Sequence, residues 1–416
     1  MESMWRWAFS LFVRVRYLTR RGPLLACAAV SVLAFVLPST VGAQAKVDDQ
    51  NLLSVPLAPA SRPSEGIGVS PTLFEKIEAA DAGIGFAHQL NAKEEHALHL
   101  TSYAVTVGVA VGDYDGDGRP DIFFANTLGG GKLYRNLGDF RFEDVTSESK
   151  LDLDKMWATG VAFADINNDG HLDIYLCGFQ CPNRLFINQG DGTFVERGKQ
   201  FGVDYLGAST MMSFADFDRD GDLDGYLLTN STSHYGTPTI KGKGKIIDGK
   251  AVLPAEYDEL AHVLYLADGS FRVVAGVEFD YLFRNDEGKK FQDISDAAGV
   301  RGPNHQGLSA TWWDYNGDLW PDLYVANDFY GPDYVFEHNG DSQNPRLENR
   351  VKTAVPYVPW YSMGSDIGDI NNDGRIDLFV SDMAGTTHYR SKVTMGEMNV
   401  HREFMKTAEP RQYMRN

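Results

Sequence analysis

Asp113-Tyr114-Asp115-Gly116-Asp117-Gly118-Arg119-Pro120-Asp121 decides the fold, because the same nine-residue pattern begins again at Asp165, Asp216, Asp314 and Asp369. Side-chain oxygens at its first, third, fifth and ninth positions can surround one hard cation of the size that accepts six to eight oxygens, and a glycine at the sixth permits the sharp turn. In the five copies those four positions are Asp113, Asp115, Asp117 and Asp121; Asp165, Asn167, Asp169 and Asp173; Asp216, Asp218, Asp220 and Asp224; Asp314, Asn316, Asp318 and Asp322; and Asp369, Asn371, Asp373 and Asp377. No thiolate or imidazole stands among them, which argues for Ca²⁺, up to five ions, over a softer metal. The seventh position varies freely (Arg119, His171, Asp222, Trp320, Arg375), as expected where only a backbone carbonyl is used.

An EF-hand opens the same way but requires a bidentate Glu at position twelve and flanking helices. Here position twelve is Phe124, Leu176, Leu227, Val325 or Val380, inside apolar runs such as Asp173-Ile174-Tyr175-Leu176 that read as buried strands. The loops therefore lie between strands. The fourth copy departs from the pattern, with Leu319 where the turn glycine belongs, a residue strained at positive φ; this site is expected to bind most weakly.

Around each loop a larger unit can be assembled. A strand ending in Gly-Val-Ala (108–110, 160–162) leads into the loop, and an apolar strand follows. Leu133-Tyr134-Arg135-Asn136 or Leu185-Phe186-Ile187-Asn188 then precedes a Gly turn and a Phe. Loop starts lie 52, 51, 98 and 55 residues apart. A period near fifty with about four short strands is the size of a propeller blade. The 98-residue gap contains one blade ending, Tyr281-Leu282-Phe283-Arg284-Asn285, so residues 231–275 read as an insertion within a blade, a degenerate blade without a metal loop being the alternative. Its Lys241-Gly242-Lys243-Gly244-Lys245 reads as a solvated loop.

Residues 1–45 stand outside the repeats. Five arginines, the apolar run Leu24 to Leu37 and the small residues Ala43-Gln44-Ala45 describe an export signal, with an uncleaved anchor as the alternative. Residues 46–72 are Pro-, Ser- and Ala-rich, a flexible leader, and the folded domain is expected over 73–416. Net charge is −19; the signal holds five Arg and one Glu, so its removal leaves −23, which excludes nucleic acid as a partner. Seventeen carboxylates occupy the loop positions, so the fold should depend on the cation that neutralises them. Cys177 and Cys181 are compatible with a small disulfide or with two free thiols.

No Gly-x-Ser-x-Gly or His-Glu-x-x-His occurs, and no catalytic residue is assigned. His96 and His99 read as an exposed loop rather than a metal site. Trp312, Trp313, Trp320 and Trp360 read as packing between blades rather than a sugar-binding face.

With these residues assembled, the chain resembles the FG-GAP/VCBS repeat proteins and, more narrowly, the cartilage acidic protein-like family with ASPIC/UnbV domains. The resemblance rests on Gly108-Val109-Ala110 before Asp113, on Asn183 to Asn188 with Gly192-Thr193-Phe194, on Ala82-Gly83-Ile84 with Phe86 and His88, and on the Asp loops. It implies an integrin-α-like, seven-bladed, all-β propeller, of which about six periods are visible, with Asp113, Asp115, Asp117, Asp121 and their counterparts as calcium ligands. The family's C-terminal ASPIC/UnbV segment is absent, and Arg411 to Asn416 looks like the start of a further Leu-Tyr-Arg-Asn strand, so truncation is expected. The implied function is non-catalytic binding or adhesion to an extracellular or cell-surface protein or glycan. The protein would be secreted, periplasmic or at the cell surface, with no membrane span after signal cleavage. The alternative is a secreted hydrolase or lyase acting on polysaccharide or phospholipid.

Overall fold

The computed structural model of the protein describes residues 12–15, 74–88, 107–230, 245–247, 250–252, 261–265, 271–275, 278–301, 306–328, 332–359 and 361–383. The apolar run 24–37, the leader 46–72, His96 and His99, the lysines 241 and 243, Trp360 and residues 411–416 lie outside them. The chain divides into two units, Met1–Ala82 and Gly83–Asn416. In the first, Phe12–Val15 pairs antiparallel with Phe74–Ile77.

The second unit is all-β, as the apolar runs after each Asp loop require, and its sheets are consecutive antiparallel meanders. The first sheet runs Val109–Gly112, Asp121–Asn126, Gly130–Gly138, Arg141–Asp144. The second runs Ala158–Ala164, Asp173–Pro182, Arg184–Asn188, Phe194–Glu196. The third takes Leu206–Ala215 and Asp224–Thr229, then Tyr281–Asp286 and Lys290–Asp293. Gly225 to Leu227 pairs with Tyr281 to Phe283, so residues 230–280 intervene between its second and third strands; among the described residues there, Lys245–Ile247 pairs antiparallel with Lys250–Val252 and Ala261–Tyr265 with Phe271–Ala275. The fourth runs Gln306–Trp313, Asp322–Asp328, Tyr334–His338, Leu347–Asn349, and Ser362–Gly368 with Asp377–Asp382 forms the fifth. In every sheet the Asp loop joins the first strand to the second. The second and third sheets also meet edge to edge, Leu206 to Ala208 pairing with Phe179 to Pro182.

Both faces of the second strand are buried in the first four sheets, which is why these strands read as continuous apolar runs, whereas in the fifth Asp377–Asp382 is half-buried to exposed, with Phe379 61% exposed. In the second sheet Ile174 and Leu176 pack into a core shared with Phe123, Ala125 and Leu133 of the first sheet. Tyr175 and Cys177 point the other way, into a core shared with Met212, Leu227 and Phe283 of the third. Further cores join the third sheet to the fourth and the fourth to the fifth. Each fully buried Phe or Leu contributes about 1.5–3 kcal/mol.

Cys177 and Cys181 are free thiols packed in different cores, Cys177 between the second and third sheets and Cys181 against the first. Bulges at both neighbours of this strand break its alternation, so the four-residue spacing does not leave the two thiols on one face.

At the end of the sheets away from the Asp loops, a second device repeats. The residue before the third strand holds the tyrosine two places after the loop's last Asp and the backbone five places after it. Asp280 accepts from the Tyr226 hydroxyl (2.8 Å) and the Thr229 amide (2.7 Å). Asp333 accepts from Tyr324 and from the Asn327 amide (2.8 Å), with the Ser362 hydroxyl added at 2.7 Å. In the second sheet the residue is Asn183, whose Oδ1 accepts from Gly178 N (2.7 Å) and whose Nδ2 donates to the Tyr175 hydroxyl (2.9 Å). The first sheet has Phe123 in the tyrosine position and turns through Gly129-Gly130 instead.

Burial raises Asp333 to about 6. Its contribution to stability is therefore complete below the unfolded carboxylate value and is lost as pH rises through about 6, a loss of at most about 3 kcal/mol. Because Asn183 already performs the same task, Asp333→Asn is expected to fold and to remove this dependence. Urea unfolding of variant and wild type at pH 4 and pH 8 should show the variant gaining relative stability at the higher pH; a constant difference between the two chains would refute the assignment.

Candidate metal centre

Each Asp loop is wound by its own carboxylates before any ion is considered. Asp113 accepts from the amides of Gly116 (2.8 Å), Asp117 (3.1 Å) and Gly118 (2.8 Å). Asp165 accepts from Asp169 and Gly170, Asp314 from Gly317, Asp318 and Leu319, and Asp369 from Asp373 and Gly374. The fifth-position Asp in turn accepts the seventh-position amide at 2.9 Å in all five copies. These bonds force positive φ at positions four and six. Position four is Gly116, Asn168, Arg219, Gly317 or Asn372, and position six is Gly118, Gly170, Gly221, Leu319 or Gly374.

Leu319, at φ +72° and 72% exposed, is thus held in the left-handed region with little packing in return. Leu319→Gly is expected to stabilise the chain by about 1 kcal/mol, the αL penalty less glycine's extra chain entropy. A urea midpoint that falls instead of rising would show that the leucine side chain supports the loop.

The ninth-position Asp has a different place. Asp121, Asp173 and Asp224 are fully buried and Asp322 is 1% exposed. One oxygen accepts the amide of loop position two: Tyr114, Ile166, Phe217 and Tyr315, at 2.9–3.2 Å. The other accepts an amide of the third strand: Asn136, Asn188, Asn285 and His338, at 2.7–2.8 Å. Burial pushes Asp121, Asp173 and Asp322 up to about 7 and Asp224 to about 8. A cation beside these groups would favour the charged form.

The third-strand asparagine then reaches the preceding sheet. Asn188 Nδ2 donates to Tyr114 O (2.8 Å) and Asn285 Nδ2 to Ile166 O (2.9 Å), so each fastens the previous metal loop at its second position. In the fourth sheet His338 takes this place. Its Nδ1 accepts from Gly340 N (2.9 Å), its Nε2 has no partner, and its ring meets Phe217 edge-on and stacks on Trp320. The residues at loop position two are capped by the following sheet: Tyr114, Ile166 and Phe217 are at most 3% exposed. Ile370, in the fifth loop, is 65% exposed, with no following sheet among the described residues.

Carboxylate oxygens of Asp113, Asp115 and Asp117 lie within 4.8 Å of one another, as do those of Asp216, Asp218 and Asp224. In the third loop Asp216 Oδ1 is buried with no hydrogen-bond partner, and Asp218 is 6% exposed. Burial raises Asp216, and raises Asp218 to about 6. An all-oxygen donor set with an orphaned buried oxygen fits a hard divalent cation. In the second, fourth and fifth loops the third position is Asn167, Asn316 or Asn371, whose amide donates to the Asp at position five. These three sites carry one carboxylate fewer.

The tryptophans in the described residues are packing groups. Trp312 is 4% exposed between Phe217 and Tyr226, and Trp313 contacts Tyr315 and Tyr324. A cleft of about 740 Å³ opens beside the fourth loop, lined by Asp296, Asp318, Glu337, His338, Arg346 and Arg350 among others. Among the described residues no helix is long and apolar enough to cross a membrane.

The sequence family described as FG-GAP-like repeat matches residues 113–176, 175–227 and 314–380, each span bounded by Asp loops and their second strands. Cartilage acidic protein 1 of Xenopus tropicalis is 34% identical over 142 residues, 33% of this chain and 22% of that protein. The Homo sapiens protein of the same name is 34% identical over 88 residues, 21% of this chain and 13% of its own length. The chain therefore spans less than a quarter of the curated relatives it matches. Among solved structures, the V. cholerae biofilm matrix protein Bap1 aligns over 66% of this chain and 34% of its own at 16% identity, with a TM-score of 0.26 that is too low to bear on function. The chain carries FG-GAP-like repeats over residues 113–227 and 314–380 and is similar over part of its length to the cartilage acidic proteins.

Proposed function

We propose that the protein is an exported, calcium-binding β-propeller that binds an extracellular or cell-surface protein or glycan and does so without catalysis. The observation that carries the calcium reading is the third loop, where three carboxylates converge around an orphaned buried oxygen. When bound, the ion supplies neutralisation and cross-linking of the loop rather than a reactive centre. Asp216, Asp218, Asp220 and Asp224 would hold it there, and Asp113, Asp115, Asp117 and Asp121 in the first loop.

Support for a binding role is architectural. Short loops at both ends of stacked sheets form a surface of variable side chains on a rigid frame, the usual setting for recognition. Export follows from the Arg-rich start, the apolar run 24–37 and Ala43-Gln44-Ala45.

The test is to incubate the calcium-loaded chain with immobilised matrix proteins, acidic and neutral glycans and phospholipid vesicles, then repeat with chelator while assaying each ligand for breakdown. Retention that needs calcium, without turnover, is the expected result. Breakdown of a glycan or phospholipid that survives mutation of the loops in the folded chain would replace this reading with that of a hydrolase or lyase.

A further inference from the structure

We propose that the second and third loops bind their cations cooperatively, coupled through Asn168 and Asn285; the inference rests on the calcium reading above. Asn168 sits in the second loop between two ligand positions, Asn167 and Asp169. Its Nδ2 donates across to Gly221 O (3.1 Å) and Asp222 Oδ1 (2.7 Å) of the third loop. The amides of both residues hold third-loop ligands: Gly221 N donates to Asp216 (3.2 Å) and Asp222 N to Asp220 (2.9 Å). An ion that draws Asp216 and Asp220 inward therefore fixes the residues that Asn168 grips.

A second bridge runs in parallel. Asn285 N donates to Asp224 of the third loop (2.8 Å), and its Nδ2 donates to Ile166 O, between Asp165 and Asn167 of the second (2.9 Å). The amide of Ile166 is itself bound to Asp173 (3.0 Å). Each loop is thus held by atoms adjoining the other's ligands, and ordering one lowers the entropic cost of ordering its neighbour.

The other junctions are built differently. Between the first and second loops the side-chain bridge through Asn188 remains, but position four is Gly116 and reaches nothing. Between the third and fourth, His338 replaces the asparagine, and the contact is Arg219 lying 5.0 Å above Trp320. Coupling should therefore be strongest between the second and third loops.

Calcium isotherms of the full chain test this by competition with a chromophoric chelator. Blocking the second loop (Asp165→Asn with Asp169→Asn) is expected to remove one ion and to weaken a second by about fivefold. Blocking the third (Asp216→Asn with Asp220→Asn) must weaken the second loop by the same factor, since coupling is reciprocal. Asn168→Gly, an exposed change that tolerates φ +56° and leaves every ligand in place, as Gly116 and Gly317 do at the same position of the first and fourth loops, should reduce that factor. Blocking the fifth loop (Asp369→Asn with Asp373→Asn) should remove one ion and leave the others unchanged, which separates coupling from general destabilisation. Loss of one ion with all remaining affinities intact after blocking the second loop would overturn the coupling while leaving the calcium reading standing. Absence of any calcium binding by the wild-type chain would overturn both.

Discussion

Excess chelator is expected to lower the melting temperature of the calcium-loaded chain by about 10–20 °C. Each ion at a hundred times its dissociation constant adds about 2.7 kcal/mol, and several sites act together on a domain of this size. The physical source is charge. Seventeen carboxylates crowd five short loops in a chain whose net charge is −19 with the Arg-rich start included. In the third loop Asp216, Asp218 and Asp224 stand within 4.8 Å of one another, two of them buried. Without a cation these groups repel or take up protons; with one they become the ligands that close the loop.

Calorimetric scans with calcium, with magnesium and with chelator, beside a count of bound metal, make the check. Magnesium should restore less stability than calcium, because it prefers a smaller octahedral shell and keeps its waters. Sodium chloride at matched ionic strength should restore only a small part, since screening weakens repulsion without ligating anything. A chelator shift below about 2 °C with no bound metal would leave the loops as hydrogen-bonded turns.

How far the residues disclosed this arrangement depends on the range of the interaction. The Asp loops were legible because everything that winds them lies within nine residues, and an apolar residue at position twelve was enough to put strands after them. Leu319 at positive φ followed from the same local geometry. The clamp made by the ninth-position Asp was not read, because its second partner is an amide 15 residues away in the first and second sheets and 61 away in the third.

The asparagine bridges were equally hidden. Asn188 and Asn285 were visible as the ends of recurring strands, yet their amide groups act across 74 and 119 residues on the preceding loop. The tyrosine latch left a fainter signal: Tyr175, Tyr226 and Tyr324 each accompany an Asn or Asp before the third strand, whereas Phe123 does not. Recurrence of such pairs between sheets, rather than within one motif, is what would have exposed them. The cysteines resisted for a third reason, since bulges on both flanking strands break the alternation that spacing assumes.

Asp224→Ala should be severely destabilising even in chelator, where no metal ligation is at stake. The side chain is fully buried, and it holds Phe217 N at 2.9 Å and Asn285 N at 2.8 Å. Alanine strands both amides, at about 1–3 kcal/mol each. It also loosens the third strand that carries Asn285, and with it the contact to Ile166 O. Asp224→Asn retains one acceptor and should cost roughly half as much.

Asp220→Asn is the opposing case. Asp220 is exposed, and its bond to Asp222 N at 2.9 Å can be kept by an amide oxygen. In chelator this change should be neutral or slightly stabilising, because it removes one charge from a crowded loop. In calcium it should be costly, because a charged ligand is gone. The two positions of one loop are thus expected to give a crossed pattern in urea unfolding. Asp224→Ala should fail with or without the ion, and Asp220→Asn only when the ion is present. If both variants behave alike in chelator, the ninth aspartate is a ligand and no more. If they diverge, the ninth aspartate carries a structural clamp beyond its place among the ligands, and a copy could lose its metal without losing its blade.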